Sequence, residues 1–195
     1  MENQTTDQLR VILVRHGEAK NWEGNPGNPS YENDLDPQYG LTDEGVKQIQ
    51  RLSTYFINND IHADIVTTSP AYRARETALM LGLSLNTILE DIVTDQDFIE
   101  LNAEECIEFK VDRDNALDSA TNRAYVWFDA LISNPDHAGK TILCVTHGWP
   151  IKAIVERLDP ESKGIKIDNA SYTSITHNQK TGETMLIYTN PADHL

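Results

Sequence analysis

The length, composition and charge of this chain limit the kind of protein it can be. With 195 residues, 39% of them hydrophobic, the chain is long enough for one domain with a substantial core, and its apolar runs are far too short to cross a membrane. The formal net charge of −15 disfavours nucleic acid as a partner, and any site for an anionic substrate must be a concentrated local group of cations.

The first predicted element is a strand over residues 9–14 that ends at polar residues. The segment Arg15-His16-Gly17 follows this apolar, β-branched run directly. In open α/β sheets, ligands bind beyond the carboxyl ends of the strands. An imidazole can attack phosphorus and a guanidinium can hold phosphate oxygens with two hydrogen bonds, so this segment indicates phosphoryl chemistry.

The residues between 20 and 86 predict a long loop, a helix, a strand and a second helix. Residues 20–40 are rich in Asn, Gly, Pro and Asp, which is typical of a loop, and loops of this length are often functional. Thr42 is a suitable N-cap for a helix that ends near Asn58-Asn59, because two acidic residues follow it in the first turn. Residues 63–67 predict a strand, and Ser69-Pro70 predicts the start of the second helix, since proline is permitted in a first turn.

The pattern is weaker between residues 87 and 133. Short extended segments are predicted near Ile88 and over residues 98–101. Residues 103–133 favour helix by propensity, and aromatic and aliphatic side chains near their end supply an apolar face.

The last third of the chain repeats the pattern of a strand that ends at a histidine. A strand over residues 141–145 precedes Thr146-His147-Gly148, and Pro150 predicts the start of a helix that runs to about Leu158. Two further strands, over 171–176 and 184–189, are separated by a turn that predicts a hairpin. The alternation of strands and helices predicts an α/β fold, a three-layer αβα sandwich with a mostly parallel central sheet and helices on both faces.

Several of these polar groups follow strands that end at one edge of a parallel sheet, so they can converge. Taken in order, the motifs resemble those of the histidine phosphatase superfamily, in the branch that includes phosphoglycerate mutase-like phosphatases. Each motif alone is a weak signal, whereas the ordered set is specific. The matching segments lie at residues 13–18, 41–45, 69–78, 145–148 and 169–171.

The resemblance implies a role for each of four residues. His16 would be the nucleophile that becomes phosphorylated, and its second ring nitrogen would donate to the carbonyl of Gly17. Arg15 and Arg73 would clamp the phosphate, and His147 would donate to it as charge develops. The flanking cations should also lower the pKa of His16 and keep it unprotonated near neutral pH.

The proton donor for the leaving group has two candidates. The family places a glutamate a few tens of residues after the second arginine in a Leu-x-Glu-like context, and Glu100 follows Phe98-Ile99 at that position. The Gly-x-x-Glu-Gly piece that often follows is missing, so Glu104 is kept as a second candidate. The branch with an aspartate directly after the second histidine is excluded, because Gly148 occupies that place.

The resemblance also implies further pocket residues, because related enzymes use the loop after Arg-His-Gly to contact the phosphate or the leaving group. Substrate-binding roles are expected for Gly17, Asn21, Ser69 and Gly148, and the loop after Gly17 also offers Lys20 and Asn25. No metal or other cofactor is expected, because arginine and histidine supply the positive charge and no side-chain cluster has metal-ligand spacing.

The function expected from the sequence is hydrolysis of a phosphomonoester through a phosphohistidine on His16. The alternatives are phosphoryl transfer of the cofactor-dependent phosphoglycerate mutase type and a non-catalytic phosphate-binding domain. We expect a single domain over residues 1–195 with a small cap at about 102–138, because the segment between Glu100 and His147 is short for the family. A small cap leaves an open site, which favours hydrolysis and would admit a bulky or protein-borne phosphate.

The expected partners and location follow from the same observations. The substrate is predicted to be a phosphorylated small molecule or a phosphoprotein, with neither nucleic acid nor membrane as a partner. The polar amino-terminal residues do not resemble a secretory signal, and two cysteines do not suggest a disulfide framework. We therefore expect a cytoplasmic protein.

Overall fold

Strands and helices alternate along the chain. The structure, a computed structural model, describes residues 7–20, 35–85, 92–95, 98–101, 103–108 and 110–189. The strands are β1 (Gln8–Arg15), β2 (Ile65–Thr68), β3 (Ile92–Thr94), β4 (Thr141–Thr146), β5 (Tyr172–Asn178) and β6 (Thr184–Thr189). The helices are α1 (Asp43–Asn58), α2 (Tyr72–Ser84), α3 (Ala103–Glu108), α4 (Arg113–Ser133) and α5 (Gly148–Leu158). Within these ranges, no helix combines the length and apolarity needed to cross a membrane.

The strands form one mixed sheet in the order β3-β2-β4-β1-β5-β6. The first four run parallel, and β5 and β6 add the predicted antiparallel hairpin at one side. Apolar side chains on one face of the sheet pack against α1 and α2, and those on the other face pack against α4 and α5. The predicted three-layer αβα sandwich with a mostly parallel sheet is confirmed.

Strand β1 lies at the centre of both cores because it is apolar on both faces. Ile12 and Val14 belong to the cluster under α1 and α2, whereas Val11 and Leu13 belong to the cluster under α4 and α5. All four side chains are fully buried. Continuous apolar sequence of this kind is typical of a parallel strand covered on both sides.

Helix α1 begins and ends where the sequence predicts. The Thr42 hydroxyl accepts a hydrogen bond from the Gly45 N–H at 3.0 Å, and Asp43 and Glu44 occupy the first turn near the positive end of the helix dipole. The last helical residue is Asn58.

Two helix starts and one extended segment differ from the prediction. Helix α2 begins at Tyr72 rather than at Ser69-Pro70, because the Ser69 N–H bonds to β4 and continues the extended path of β2. Helix α5 begins at Gly148, two residues before Pro150, which is accommodated in the first turn. Residues 98–101 form a turn and bends rather than an extended segment, and Ile88 lies outside the described residues.

The range predicted as a cap contains α3 and the whole of α4. Leu101, Cys106 and Ala120 form a small separate cluster there, whereas Trp127 and Phe128 near the end of α4 pack against the sheet. The limits of the cap and the single-domain organisation stay predictions.

The register of the sheet aligns the ends of three strands. Arg15 of β1 pairs with Thr146 of β4, and Thr68 of β2 pairs with Val145. The pairing of β1 with β4 continues one residue further, because the His16 N–H donates to the Thr146 carbonyl at 3.0 Å. The residues that follow the three strands therefore emerge at the same place on the carboxyl edge.

The loop after β1 lies directly on the first turn of α1. A Cβ atom added to Gly17 would sit 2.8 Å from the carbonyl oxygen of Gly45, and a Cβ added to Gly45 would overlap the backbone of Glu18. Neither position has room for a side chain unless the backbone moves, so both glycines hold this loop against the helix.

We expect Gly45→Ala to destabilise the protein by about 1–3 kcal/mol, because the new methyl group overpacks against the Glu18 backbone. In an open helix the same change would be favourable, since alanine has the higher helix propensity. Urea unfolding of Gly45→Ala beside Gln50→Ala, an exposed position on the same helix, measures the difference. A Gly45→Ala protein at least as stable as wild type would contradict the close approach.

Candidate active site

Two histidines from neighbouring strands lie side by side at the carboxyl edge of the sheet. The ring centroids of His16 and His147 are 5.1 Å apart in an edge-on arrangement, and both side chains are buried. Their proximity follows from the register, because each is the first residue after the paired strand ends Arg15 and Thr146. The convergence expected from the sequence is therefore present for these two residues.

The hydrogen bonds of His16 assign its tautomer. Its Nδ1 lies 2.7 Å from the carbonyl oxygen of Gly17, which can only accept, so Nδ1 carries the proton. Its Nε2 accepts from the Nε–H of Arg73 at 3.0 Å and therefore carries a lone pair. The Gly17 N–H donates to the Thr77 hydroxyl at 3.3 Å, which holds the carbonyl-bearing residue in place.

Arg73 contacts both histidines of the site. It lies in the first turn of α2 and is only 1% exposed. Besides its bond to His16, its Nη2 lies 3.1 Å from Nδ1 of His147. Because a guanidinium only donates, Nδ1 of the neutral His147 ring is an acceptor, and its Nε2–H donates to the Ser69 hydroxyl at 2.8 Å.

Burial and positive charge keep both imidazoles neutral. Burial is the main cause that lowers the pKa of His16 well below 6.5, and the charges of Arg73 and Arg15 lower it further, while the bond to the Gly17 carbonyl acts in the opposite direction. Burial followed by the charge of Arg73 likewise lowers the pKa of His147 well below 6.5. His16 therefore presents an unprotonated Nε2 at neutral pH.

Arg15 supplies a second, half-buried guanidinium. Its Nη1 donates to the carbonyl of Ile167 at 2.5 Å, while its buried Nε makes no hydrogen bond within the described residues. A Cβ on Gly148, the first residue of α5, would lie 3.5 Å from that Nε. Burial is the main cause that lowers the pKa of Arg15, the carboxylates of Glu100 and Asp168 raise it, and the charge of Arg73 lowers it.

Of the two proton-donor candidates, Glu100 is the one beside these groups. Its Oε2 lies 3.8 Å from Nη2 of Arg73 and 4.0 Å from Nδ1 of His147. Its side chain is 26% exposed, so it borders the solvent as well as the site. Glu104 is an exposed residue of α3.

The other predicted pocket residues fall into two groups. Ser69 is fully buried, and its hydroxyl contacts His147 and accepts a hydrogen bond from the Ala71 N–H, so its substrate-binding role stays a prediction. Lys20 is exposed in the loop after β1. Asn21 and Asn25 lie outside the described residues, and their predicted roles are not addressed by the structure.

Two supporting contacts were missed by the sequence analysis. The Thr77 hydroxyl donates to the Arg73 carbonyl at 2.9 Å and accepts from Gly17, so it joins α2 to the loop after β1. A threonine in a helix can bond the carbonyl four residues earlier, so the bond to Arg73 could have been expected from the sequence, whereas the bond from Gly17 could not. The Ile167 carbonyl that holds Arg15 has no such signal, because any residue offers a carbonyl.

The surroundings of the site are positive although the protein as a whole is acidic. Helices α2 and α5 both begin at this edge, and the side chains of their N-cap residues, Ala71 and His147, make no capping hydrogen bond within the described residues. Helix N-termini favour anions, and Arg15 and Arg73 add two full charges. In the parts of the chain that the structure describes, no group of three or more His, Cys, Asp or Glu side chains is arranged to hold a metal ion. The arrangement combines a nucleophilic nitrogen, two guanidinium groups and a carboxyl group.

Comparison with known proteins gives one family and a common fold. The family model described as the histidine phosphatase superfamily (branch 1) matches residues 11–116. A search of the curated proteins found no significant match.

Solved structures of phosphatases and of a mutase have the same fold as this chain. A phosphoglycerate mutase from Bacillus anthracis str. Sterne has 19% identity and a TM-score of 0.72, with 97% of this chain and 96% of that one covered. A phosphoserine phosphatase from Entamoeba histolytica, in complex with 3-phosphoglyceric acid, has 21% identity and a TM-score of 0.68, with 95% and 98% covered. A putative phosphohistidine phosphatase SixA from Agrobacterium tumefaciens has 17% identity and a TM-score of 0.63, with 93% and 96% covered.

Acidification is expected to destabilise the protein through His147. An unfolded histidine takes up a proton near pH 6.5, whereas the pKa of the buried ring is well below that value, so the unfolded state binds more protons below pH 6.5. The stability contributed by the neutral ring is present above pH 6.5 and falls by up to about 1.4 kcal/mol per pH unit as the pH drops toward the folded pKa. Urea unfolding at several pH values should show a steeper decline for wild type than for His147→Asn. Equal slopes would contradict the lowered pKa.

Proposed function

The chain belongs to the histidine phosphatase superfamily (branch 1), and we propose that it is a phosphomonoester hydrolase that works through a phosphohistidine on His16. The observation that carries the proposal is the state of His16. Its Nδ1–H is held by the Gly17 carbonyl, and its unprotonated Nε2 faces the buried guanidinium of Arg73. A nucleophilic attack on phosphorus needs an unprotonated nitrogen, and a fixed cation beside it can bind the anionic phosphate.

In the first step, Nε2 of His16 forms a bond to phosphorus as the ester P–O bond breaks. The electron pair of that bond goes to the leaving oxygen, which takes a proton from the carboxylic acid of Glu100 and departs as an alcohol. The ring becomes a phosphorylated imidazolium, and its Nδ1–H, 2.7 Å from the Gly17 oxygen, helps to stabilise the positive charge.

The phosphate oxygens are held by Arg15, Arg73 and His147. Arg15 offers its Nε–H, and Arg73 transfers its hydrogen bonds from the two imidazoles to the phosphate. His147 donates through Nδ1 once that atom is protonated, and a bound anion favours this by raising the pKa of the ring. The Ser69 hydroxyl at Nε2 keeps the ring oriented.

In the second step, water replaces the alcohol. The carboxylate of Glu100 removes a proton from the water, the water oxygen bonds to phosphorus, and the P–N bond breaks and returns its electron pair to Nε2 of His16. The carboxyl group is then protonated again, so the cycle closes without another reactant. The partial exposure of Glu100 supports this role, because water reaches the carboxyl group directly.

The chain shares its fold with both a mutase and phosphatases, so the main alternative to hydrolysis is transfer of the phosphoryl group to a hydroxyl group instead of water. The small predicted cap favours water as the acceptor, and we propose a phosphorylated small molecule or a phosphoprotein as the substrate. Solved relatives of both kinds support this range, since one is a phosphoserine phosphatase and another a putative phosphohistidine phosphatase. Pocket roles for Gly17, Asn21 and Gly148 and the cytoplasmic location remain predictions from the sequence.

His16→Ala is expected to lower the turnover of phosphate esters by several orders of magnitude, because it removes the nucleophile. A panel of small phosphate esters assayed on wild type and variant measures this loss. Mass spectrometry after an alkaline quench should detect a phosphoryl group on His16 of the wild type alone. His137→Ala is the matched control, since its ring contacts the Leu131 carbonyl near the opposite edge of the sheet.

The same panel separates the alternatives. Added bisphosphoglycerate should not stimulate isomerisation of a phosphoglycerate, whereas a mutase would require such priming. A wild-type protein that binds inorganic phosphate but neither turns over any ester nor becomes phosphorylated would favour a binding domain and refute the proposed hydrolase.

Glu100→Gln is expected to slow the cleavage of esters with poor leaving groups far more than the cleavage of esters with good ones. An alkyl alcohol needs a proton as it leaves, so the rate of the first step should fall by about 10²–10⁴-fold for an alkyl ester, whereas that of p-nitrophenyl phosphate should change little. The single-turnover release of each alcohol measures the first step. A loss of equal size for both esters would argue against Glu100 as the acid, and Glu104→Gln tests the second candidate under the same conditions.

A further inference from the structure

A largely buried ion pair, separate from the candidate active site, holds the backbone of the segment that carries Glu100. Arg123 of α4 and Glu105 of α3 are 14% and 4% exposed, respectively. Two hydrogen bonds join them, from Nη2 to Oε2 at 2.7 Å and from Nε to Oε1 at 3.1 Å. The Ser119 hydroxyl also donates to Oε1 at 3.2 Å. The geometry is the bidentate one that fixes the guanidinium plane.

The other donors of Arg123 reach the backbone on either side of the candidate acid. Nη1 donates to the Ile99 carbonyl at 2.9 Å, and Nη2 also donates to the Glu100 carbonyl at 3.3 Å. One rigid guanidinium thus binds a carboxylate from α3 and two successive carbonyls of the 98–100 segment. The position of these carbonyls determines where the side chain of Glu100 starts.

A second set of contacts anchors the same segment one residue earlier. The Thr146 hydroxyl donates to the Phe98 carbonyl at 2.7 Å, and the Phe98 ring stacks on Trp127 of α4 with centroids 3.7 Å apart. Phe98 is therefore tied to β4 and α4 without help from Arg123. Loss of the ion pair should free the backbone at residues 99 and 100 while the start of the segment stays in place.

A contribution to the stability of the fold does not by itself explain why an ion pair occupies this position. Replacing a buried ion pair with apolar side chains of similar volume is often neutral or stabilising. Apolar side chains, however, could not bond the carbonyls of Ile99 and Glu100. The charge of Arg123 is also close enough to lower the pKa of His147, so the pair lies within electrostatic range of the site.

We propose that Arg123 and Glu105 are positioning residues that hold the carboxyl group of Glu100 beside Arg73 and His147. This inference rests on the proposed function, in which Glu100 protonates the leaving group. It assigns α3 and α4 a part in catalysis, although neither residue touches the reacting atoms.

The test is the dependence of the rate on the leaving group. Arg123→Met should lower single-turnover cleavage of an alkyl phosphate by about 10²-fold, because a small displacement of a catalytic group has an effect of that size. Cleavage of p-nitrophenyl phosphate should change by less than about threefold, because that step does not need the acid. In Glu100→Gln, adding Arg123→Met should cause no further loss with the alkyl ester, since both changes remove the same contribution.

Two further variants complete the experiment. Glu105→Gln keeps the shape of the pair but weakens it, so it tests the proposal even where Arg123→Met does not fold, and it should give the same selective loss at smaller size. Arg157→Met is a control for the loss of an interhelical ion pair away from Glu100, because the exposed Arg157 bonds Asp129 of α4 through both Nη atoms at 3.1 Å. It should leave both rates unchanged.

The outcomes separate this inference from the function on which it rests. Losses of equal size for the two esters in Arg123→Met and Glu105→Gln, or no loss in either, would overturn the positioning role while the phosphatase function stood. A wild-type enzyme that cleaves neither ester would overturn the proposed function and this inference with it.

Discussion

The site depends on the parallel pairing of β1 with β4. The two strands are 126 or more residues apart along the chain, and their register sets Arg15 opposite Thr146, so the next residue on each strand is a histidine. A slip of one residue would turn every side chain of β1 to the other face of the sheet, which the two apolar clusters forbid because each needs its own half of the strand. The packing that stabilises the sheet therefore also brings two imidazoles to within 5.1 Å of each other.

Arg73 bonds to both histidines and helps to keep their rings unprotonated. A fully charged guanidinium is tolerated here because its N–H groups bond to ring nitrogens of both histidines and a carboxylate lies nearby. Burial, followed by the same charge, lowers the pKa of each ring, so Nε2 of His16 carries no proton. An acidic protein can thus hold a small positive site, since the charges that define it lie within a few ångströms while the surface charges are screened by salt.

Different contacts hold the proposed nucleophile, His16, and the candidate acid, Glu100, in place. His16 is held by the sheet, by the close contact of its loop with α1 and by Thr77 of α2. Glu100 lies on an irregular segment whose backbone is bonded by Thr146 of the sheet and by Arg123 of α4, in the helical layer on the other side of the sheet from α1 and α2. The two groups approach the same space from different layers of the sandwich, so the distance between them is a property of how the layers pack.

The sequence by itself determined the strands other than β3, the N-cap of α1 at Thr42, the terminal hairpin, the layered architecture and the gathering of His16, His147 and Arg73 at one edge, whereas Glu100 was reached through the family resemblance. Local rules suffice for these, because periodicity, capping and the end of an apolar run are features of a few successive residues. Only the tertiary structure decided the start of α2, the tautomers of the two imidazoles, and the bonds from Ile167 to Arg15 and from Arg123 to the 98–100 segment. These contacts join residues that are distant along the chain, 152 positions apart for Arg15 and Ile167, and many use backbone carbonyls, which every residue has. Which carbonyl meets which donor follows from the packing of layers, and no local pattern of side chains encodes it.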